Sequence, residues 1–259
     1  MSQRPLGIAA YLSGALLSAG CAAVAARLLF GHRDLATATL HGFSASFSNT
    51  AYLGIPLFLA AFGPTHTMPA VVATLASNLV LIALAVTLIE GSQTARYGGL
   101  RIARDVAAAL LRNPVLVSLL AGLAASAVRL TLPAPVERFM DLLAGAAGPS
   151  ALFALGLSLH GYPLRAQAAE TGWLVALKLG MQPALTWWLA HRVFSLPPFW
   201  ADSAVLLAAL PAGALVFVIA RRYGVCVQRA SAVVVVVVVV STVLSVISIA
   251  ILLGHFASP

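Results

Sequence analysis

The segment Ser48-Asn49-Thr50-Ala51-Tyr52-Leu53-Gly54-Ile55-Pro56 decides how this chain must be read. It lies within Leu35 to Ile89, 55 residues without one Asp, Glu, Lys or Arg. A soluble domain has no use for so long an uncharged run. A bilayer does, because a charge at its centre costs several kcal/mol on insertion scales. Hydrocarbon also offers no water to a broken backbone. Gly54-Ile55-Pro56 inside a span therefore predicts peptide groups that face a cavity or a ligand.

Working outward, the whole chain has the same character. Of 259 residues, 61% are hydrophobic and only 8% charged, against about 25% in ordinary soluble domains. The composition implies an all-α polytopic membrane protein. The net charge of +8 comes from 14 Arg and one Lys against seven acidic residues. Most arginines lie between apolar runs, so they speak for topology and anionic lipid headgroups rather than nucleic acid. Cys21 and Cys226 are too far apart in sequence to suggest a disulfide framework or a metal site. Leu6 to Phe30 is longer than the apolar part of a signal peptide and reads as a retained helix.

A span needs about 20 apolar residues. Eight candidates follow, at about 6–30, 37–62, 68–89, 113–131, 138–159, 170–193, 200–220 and 231–254. Connections after the odd-numbered spans hold ten arginines and the opposite side four, so the positive-inside rule places both termini outside. The longest connection, Glu90 to Arg112, is basic, and its second half could lie along the interface as an amphipathic helix. Gly14, Ser18, Ala22 and Ala26 form a small-residue stripe suited to close helix packing. Val233 to Val240 would favour strand in water, but lipid requires helix.

Two spans carry proline well inside, Pro56 in the second and Pro211 in the seventh. Each is expected to break or kink its helix. Five spans apart, the two helices run in opposite directions, as an inverted repeat requires. Broken helices offer half-helix N-termini with unpaired amides that can hold a carboxylate. Asn49, Thr50 and Tyr52 lie near the first break, and backbone groups would carry recognition at the second, Leu210-Pro211-Ala212-Gly213. Ser77, Asn78, Ser241, Thr242 and Ser245 could line the same cavity or simply pack helices.

Lys178 is the one charge well inside a span, near Gln182 and Pro183. It either serves the site or snorkels to the interface, and both readings stay open. No acidic residue within the spans is a clear partner, which suits an anionic ligand better than a cation. The six histidines show no metal-ligand spacing, and no nucleophile elbow, Walker loop or dinucleotide fingerprint is present. The residues thus point to neither enzyme, cofactor nor metal.

Ser48 to Pro56 with Phe62-Gly63 resembles the bacterial branch of the auxin efflux carrier family. So do Asn113-Pro114, Ala147-Gly148-Pro149, Leu155-Gly156, Lys178 with Pro183, and Leu210-Pro211-Ala212-Gly213 leading to Tyr223-Gly224. The resemblance implies a fold like bile-acid:sodium symporters, with two five-helix inverted repeats and crossed broken helices at the site. It implies a secondary transporter, an exporter of a small organic anion, in the bacterial inner membrane. Pro56 and Pro211 would sit at the crossing, with Asn49 nearby. The substrate-binding set is then Asn49, Thr50, Gly54, Pro56, Asn78, Lys178, Pro211, Ala212 and Gly213. The partners are the anion and membrane lipids, with a homodimer left open. Span one aligns with the family's third helix. Residues 1–89 would be a partial first repeat of three spans, 90–112 a cytoplasmic basic loop and 113–259 a second repeat of five. Either the start codon lies upstream, or this is a shortened member. In the latter case it could be transport-incompetent or a subunit of a hetero-oligomer.

Overall fold

The computed structural model describes residues 4–94, 104, 107–108, 111–112, 114–158, 168–213, 215–225, 239–240 and 243. Helix α1 is Arg4–Leu28, α2 is Leu35–Ser46 and α3 is Thr50–Phe62. Helix α4 joins Met68–Ser77, a π turn at Asn78–Ile82 and Ala83–Thr94. Helices α5 and α6 are Pro114–Ala127 and Ala134–Ser158. Helix α7 joins Ala168–Ala176, a π turn at Leu177–Met181, Gln182–Trp188 and a second π turn at Leu189–Val193. Helices α8 and α9 are Pro198–Ala209 and Leu215–Tyr223.

Among the described residues the fold is helical, with one isolated antiparallel bridge between Ser48 and Ala212. Leu6–Leu28 and Met68–Gln93 are each long and apolar enough to cross a membrane, and Thr50–Phe62 and Pro198–Ala209 are shorter apolar helices. The stretches expected as the second and seventh spans are each divided into two shorter helices, α2 with α3 and α8 with α9. Most of the basic half of the 90–112 connection and most of the eighth candidate, with Ser241, Thr242 and Ser245, lie outside the described residues.

Helix α1 is the central post, packed against α2, α4, α7 and α8. Its small-residue stripe makes this possible: Gly14, Ser18, Ala22 and Ala26 are all buried. Ser18 Oγ donates to the Ala45 carbonyl at 3.2 Å. On the facing helix, a Cβ on Gly42 would stand 2.8 Å from the Ala19 carbonyl oxygen. That atom is backbone and cannot rotate aside. Gly42→Ala is therefore expected to cost about 1–3 kcal/mol, read as a lowered thermal midpoint in detergent. An unchanged midpoint would contradict this packing.

Helices α5 and α6 differ from the rest. Their described side chains are nearly all exposed, including Leu120, Leu123, Phe139, Leu142 and Leu143. Helix α5 meets the remainder at the π turn of α4, where Ser118 and Asn78 line a common cavity.

Candidate functional site: a crossing of two interrupted helices

The first interruption lies at Phe47-Ser48-Asn49. Phe47 leaves α2 with extended backbone, φ −82° and ψ 103°. Asn49 caps α3, its side chain accepting from the Tyr52 amide at 3.3 Å. Ser and Asn side chains compete for backbone partners, which is why they sit at caps and turns rather than inside helices. The second interruption is Leu210 to Gly213. Here proline is decisive, because Pro211 forces Leu210 out of the helical region to ψ 152°.

The two interruptions pair with each other. The Asn49 amide donates to the Pro211 carbonyl at 2.7 Å, and the Gly213 amide to the Phe47 carbonyl at 2.9 Å. Peptide groups that the helices released thus satisfy one another, as a water-free interior demands.

The expectation that Pro56 sits at the crossing is corrected. Pro56 is exposed and lies seven residues beyond Asn49, within α3. A proline ring clashes with the carbonyl four residues before it. The preceding turn, Thr50–Gly54, is widened into a π turn, and the helix continues past the proline. Pro183 repeats the arrangement after the π turn Leu177–Met181. In both cases the proline is absorbed by a wide turn instead of a break.

Lys178 is fully buried, so it does not snorkel. Its Nζ donates to Ser48 Oγ at 2.9 Å, Gln182 Oε1 at 2.6 Å and the Ala208 carbonyl at 2.8 Å. Gln182 Nε2 donates in turn to the Ser46 carbonyl at 2.9 Å. Ser46 ends α2 and Ala208 lies in the last turn of α8, so both carbonyls belong to helix C-termini. These are the negative ends of the helix dipoles. The ammonium satisfies the Ala208 carbonyl and the Gln182 amide satisfies the Ser46 carbonyl, each freed near a helix end.

The positive ends lie on the other side of the crossing. A cavity of about 220 Å³ is lined by Phe47 to Tyr52 from the first interruption and the start of α3. Gly213 and Leu215 line it at the start of α9, with Asn78 from α4 and Ser118 from α5. It is smaller than the roughly 300–1,000 Å³ of pockets that take drug-sized ligands. Of the expected set, Asn49, Thr50, Asn78 and Gly213 line it. Pro211 and Ala212 form the crossing behind it. Gly54 instead lets α3 approach α8, since a Cβ there would stand 3.0 Å from Leu210 Cδ1 and 3.1 Å from Leu207 Cδ2. Lys178 reaches the cavity only through Ser48. Ser48 and Ser118 were not among the expected residues. Ser48 was signalled by its place directly before the cap, whereas nothing in the apolar sequence of α5 marks Ser118.

A family model described as "Membrane transport protein" matches residues 7–251. A protein of Rhizobium meliloti (strain 1021) named "Putative malonate transporter" is 33% identical over 222 residues. That alignment covers 86% of this chain and 68% of the relative.

Proposed function

Since this chain belongs to the auxin efflux carrier family of membrane transport proteins, we propose that it is a secondary transporter of a small organic anion, bound at the helix crossing. The observation that carries this reading is the cavity at the starts of α3 and α9. Two helix N-termini lend it positive potential, with Asn49, Thr50, Asn78 and Ser118 as polar side chains around it. The anion class follows from that polarity. The relative's name narrows it to malonate-like dicarboxylates, which suit a cavity of this size.

Pairing of the interruptions through an antiparallel bridge supports the inverted-repeat reading, in which α2–α3 and α8–α9 are equivalent arms. Alternating access would then expose the crossing to either face in turn, in the direction of export. The protein would sit in the bacterial inner membrane as an eight-span chain with both termini outside. Lys178 would act as a positioning residue. It holds Ser48 and the α8 C-terminus directly, and the α2 C-terminus through Gln182, and does not itself touch the solute.

The test is uptake of labelled malonate and of longer or aromatic acids into proteoliposomes, with and without a proton gradient. Malonate-like acids are expected to be carried. Asn49→Ala should lower their uptake at least about tenfold, since a capping and solute-facing group is lost, while costing stability only about 0.5–2 kcal/mol. No flux across the whole panel would end the transporter reading for the isolated chain. One observation favours a second reading, as a subunit of a larger assembly: the exposed apolar faces of α5 and α6. Under that reading flux would appear only after a partner is supplied.

A further inference from the structure

We propose that His32, His41 and Glu170 form a binding site for a divalent transition-metal ion of the zinc class. The three residues come from separate elements. His32 lies in the connection between α1 and α2, His41 in the second turn of α2 and Glu170 in the first turn of α7. Glu170 is 138 residues from His32 and 129 from His41. His32 Nε2 lies 2.9 Å from Glu170 Oε1, and His41 Nε2 contacts the same oxygen. The three potential ligand atoms all fall within 4.8 Å of one another.

The second contact made by the His41 ring makes the cluster more than a hydrogen-bonded corner. His41 Nδ1 lies 2.8 Å from the Thr37 carbonyl. A carbonyl only accepts, so Nδ1 carries the hydrogen. Nε2 is then the ring nitrogen turned toward the shared carboxylate oxygen. The arrangement matches a metal-ligating histidine, whose other nitrogen donates to a backbone carbonyl and so fixes ring and tautomer.

Ligand chemistry and access select the ion. Two imidazole nitrogens and one carboxylate suit zinc and its neighbours rather than magnesium or calcium. Three protein ligands with an open fourth position form a recurrent zinc geometry, with metal–ligand distances of about 2.0–2.2 Å. The side chains of His32 and Glu170 are 24% and 13% exposed, which gives an ion a path in, while His41 is 5% exposed and anchors the site. Asp34 is not part of the set, because its carboxylate caps α2 by accepting from the Thr37 amide at 2.7 Å. This site stands independently of the transport reading.

The test uses tag-free full-length protein in detergent, stripped with a chelator. Zn²⁺ is titrated by calorimetry and Co²⁺ by visible absorption. The expected result is one equivalent per chain, with a tetrahedral cobalt spectrum and a thermal midpoint raised by Zn²⁺. His32→Ala and Glu170→Gln should each weaken binding at least about tenfold, in line with the 10–100-fold losses seen when even outer-shell partners are removed. His32 is partly exposed in a connection, so its variant should keep its metal-free midpoint. His66→Ala and His191→Ala should bind as the parent does. The proposal is overturned if no stoichiometric site appears or if the His32 and Glu170 variants bind normally. It is equally overturned if Zn²⁺ leaves the thermal midpoint unchanged.

Discussion

Lys178→Met is expected to abolish anion uptake and to lower the thermal midpoint. The ammonium holds Ser48 Oγ, Gln182 Oε1 and the Ala208 carbonyl, all in a buried setting. Methionine is unbranched and only one atom shorter, but it donates nothing. Each acceptor left unsatisfied costs about 1–3 kcal/mol, partly offset because an ammonium no longer has to be desolvated. The loss of transport should exceed what the lost stability explains. Ser48 lines the cavity, and the end of α8 is anchored only two residues before Leu210. Uptake and thermal midpoint should therefore be measured on the same preparation. Lys178→Arg should not restore uptake, because a planar guanidinium cannot reach three acceptors spaced around a compact ammonium. A methionine variant with parental flux would refute the positioning role.

The second large effect is expected at Gly213. A Cβ there would stand 2.7 Å from Phe47 Cε1 and 2.8 Å from Phe47 Cδ1. Phe47 is buried and packs against Phe43 with ring centroids 4.7 Å apart, so its ring has little room to retreat. Gly213→Ala should force the two interruptions apart and cost about 1–3 kcal/mol. It should also reduce uptake strongly, since the Gly213 amide bonds the Phe47 carbonyl beside the cavity. Phe47→Leu in the same chain removes the clashing ring atoms. The double variant should regain part of the lost flux. If the double variant is no better than Gly213→Ala alone, steric pressure on Phe47 is not the cause.

How much of this was legible beforehand differs from residue to residue. The uncharged run and the helical character followed from composition, because hydrocarbon leaves the backbone few alternatives. Asn49 was marked as a polar side chain near the first break, and Gly213 by its place two residues after Pro211. Pro56 misled, because a proline in a helix can be absorbed by a π turn as well as by a break, and sequence does not choose between them. Lys178 and Gln182 stand four residues apart, the spacing of neighbours on one helix face. That pairing was visible, but the Ser46 and Ala208 carbonyls they hold are backbone groups from distant helices. The cluster of His32, His41 and Glu170 was invisible for a related reason: local spacing rules cannot see across some 130 residues.

One consequence concerns how the solute could be released. The bridge at Ser48 and Ala212, locked by Lys178 and Gln182, rivets the two arms into a single block. A carrier built this way cannot let go of its cargo by prising the arms apart, since that would strip several peptide groups of their partners in the dry interior. Among the residues around the cavity, Ser118 alone comes from α5, outside the riveted block. Under the transport reading, the gate would be a sliding surface, with α5 passing over the π turn of α4. A covalent tether between Ser118→Cys and Asn78→Cys should jam turnover while leaving the block itself intact.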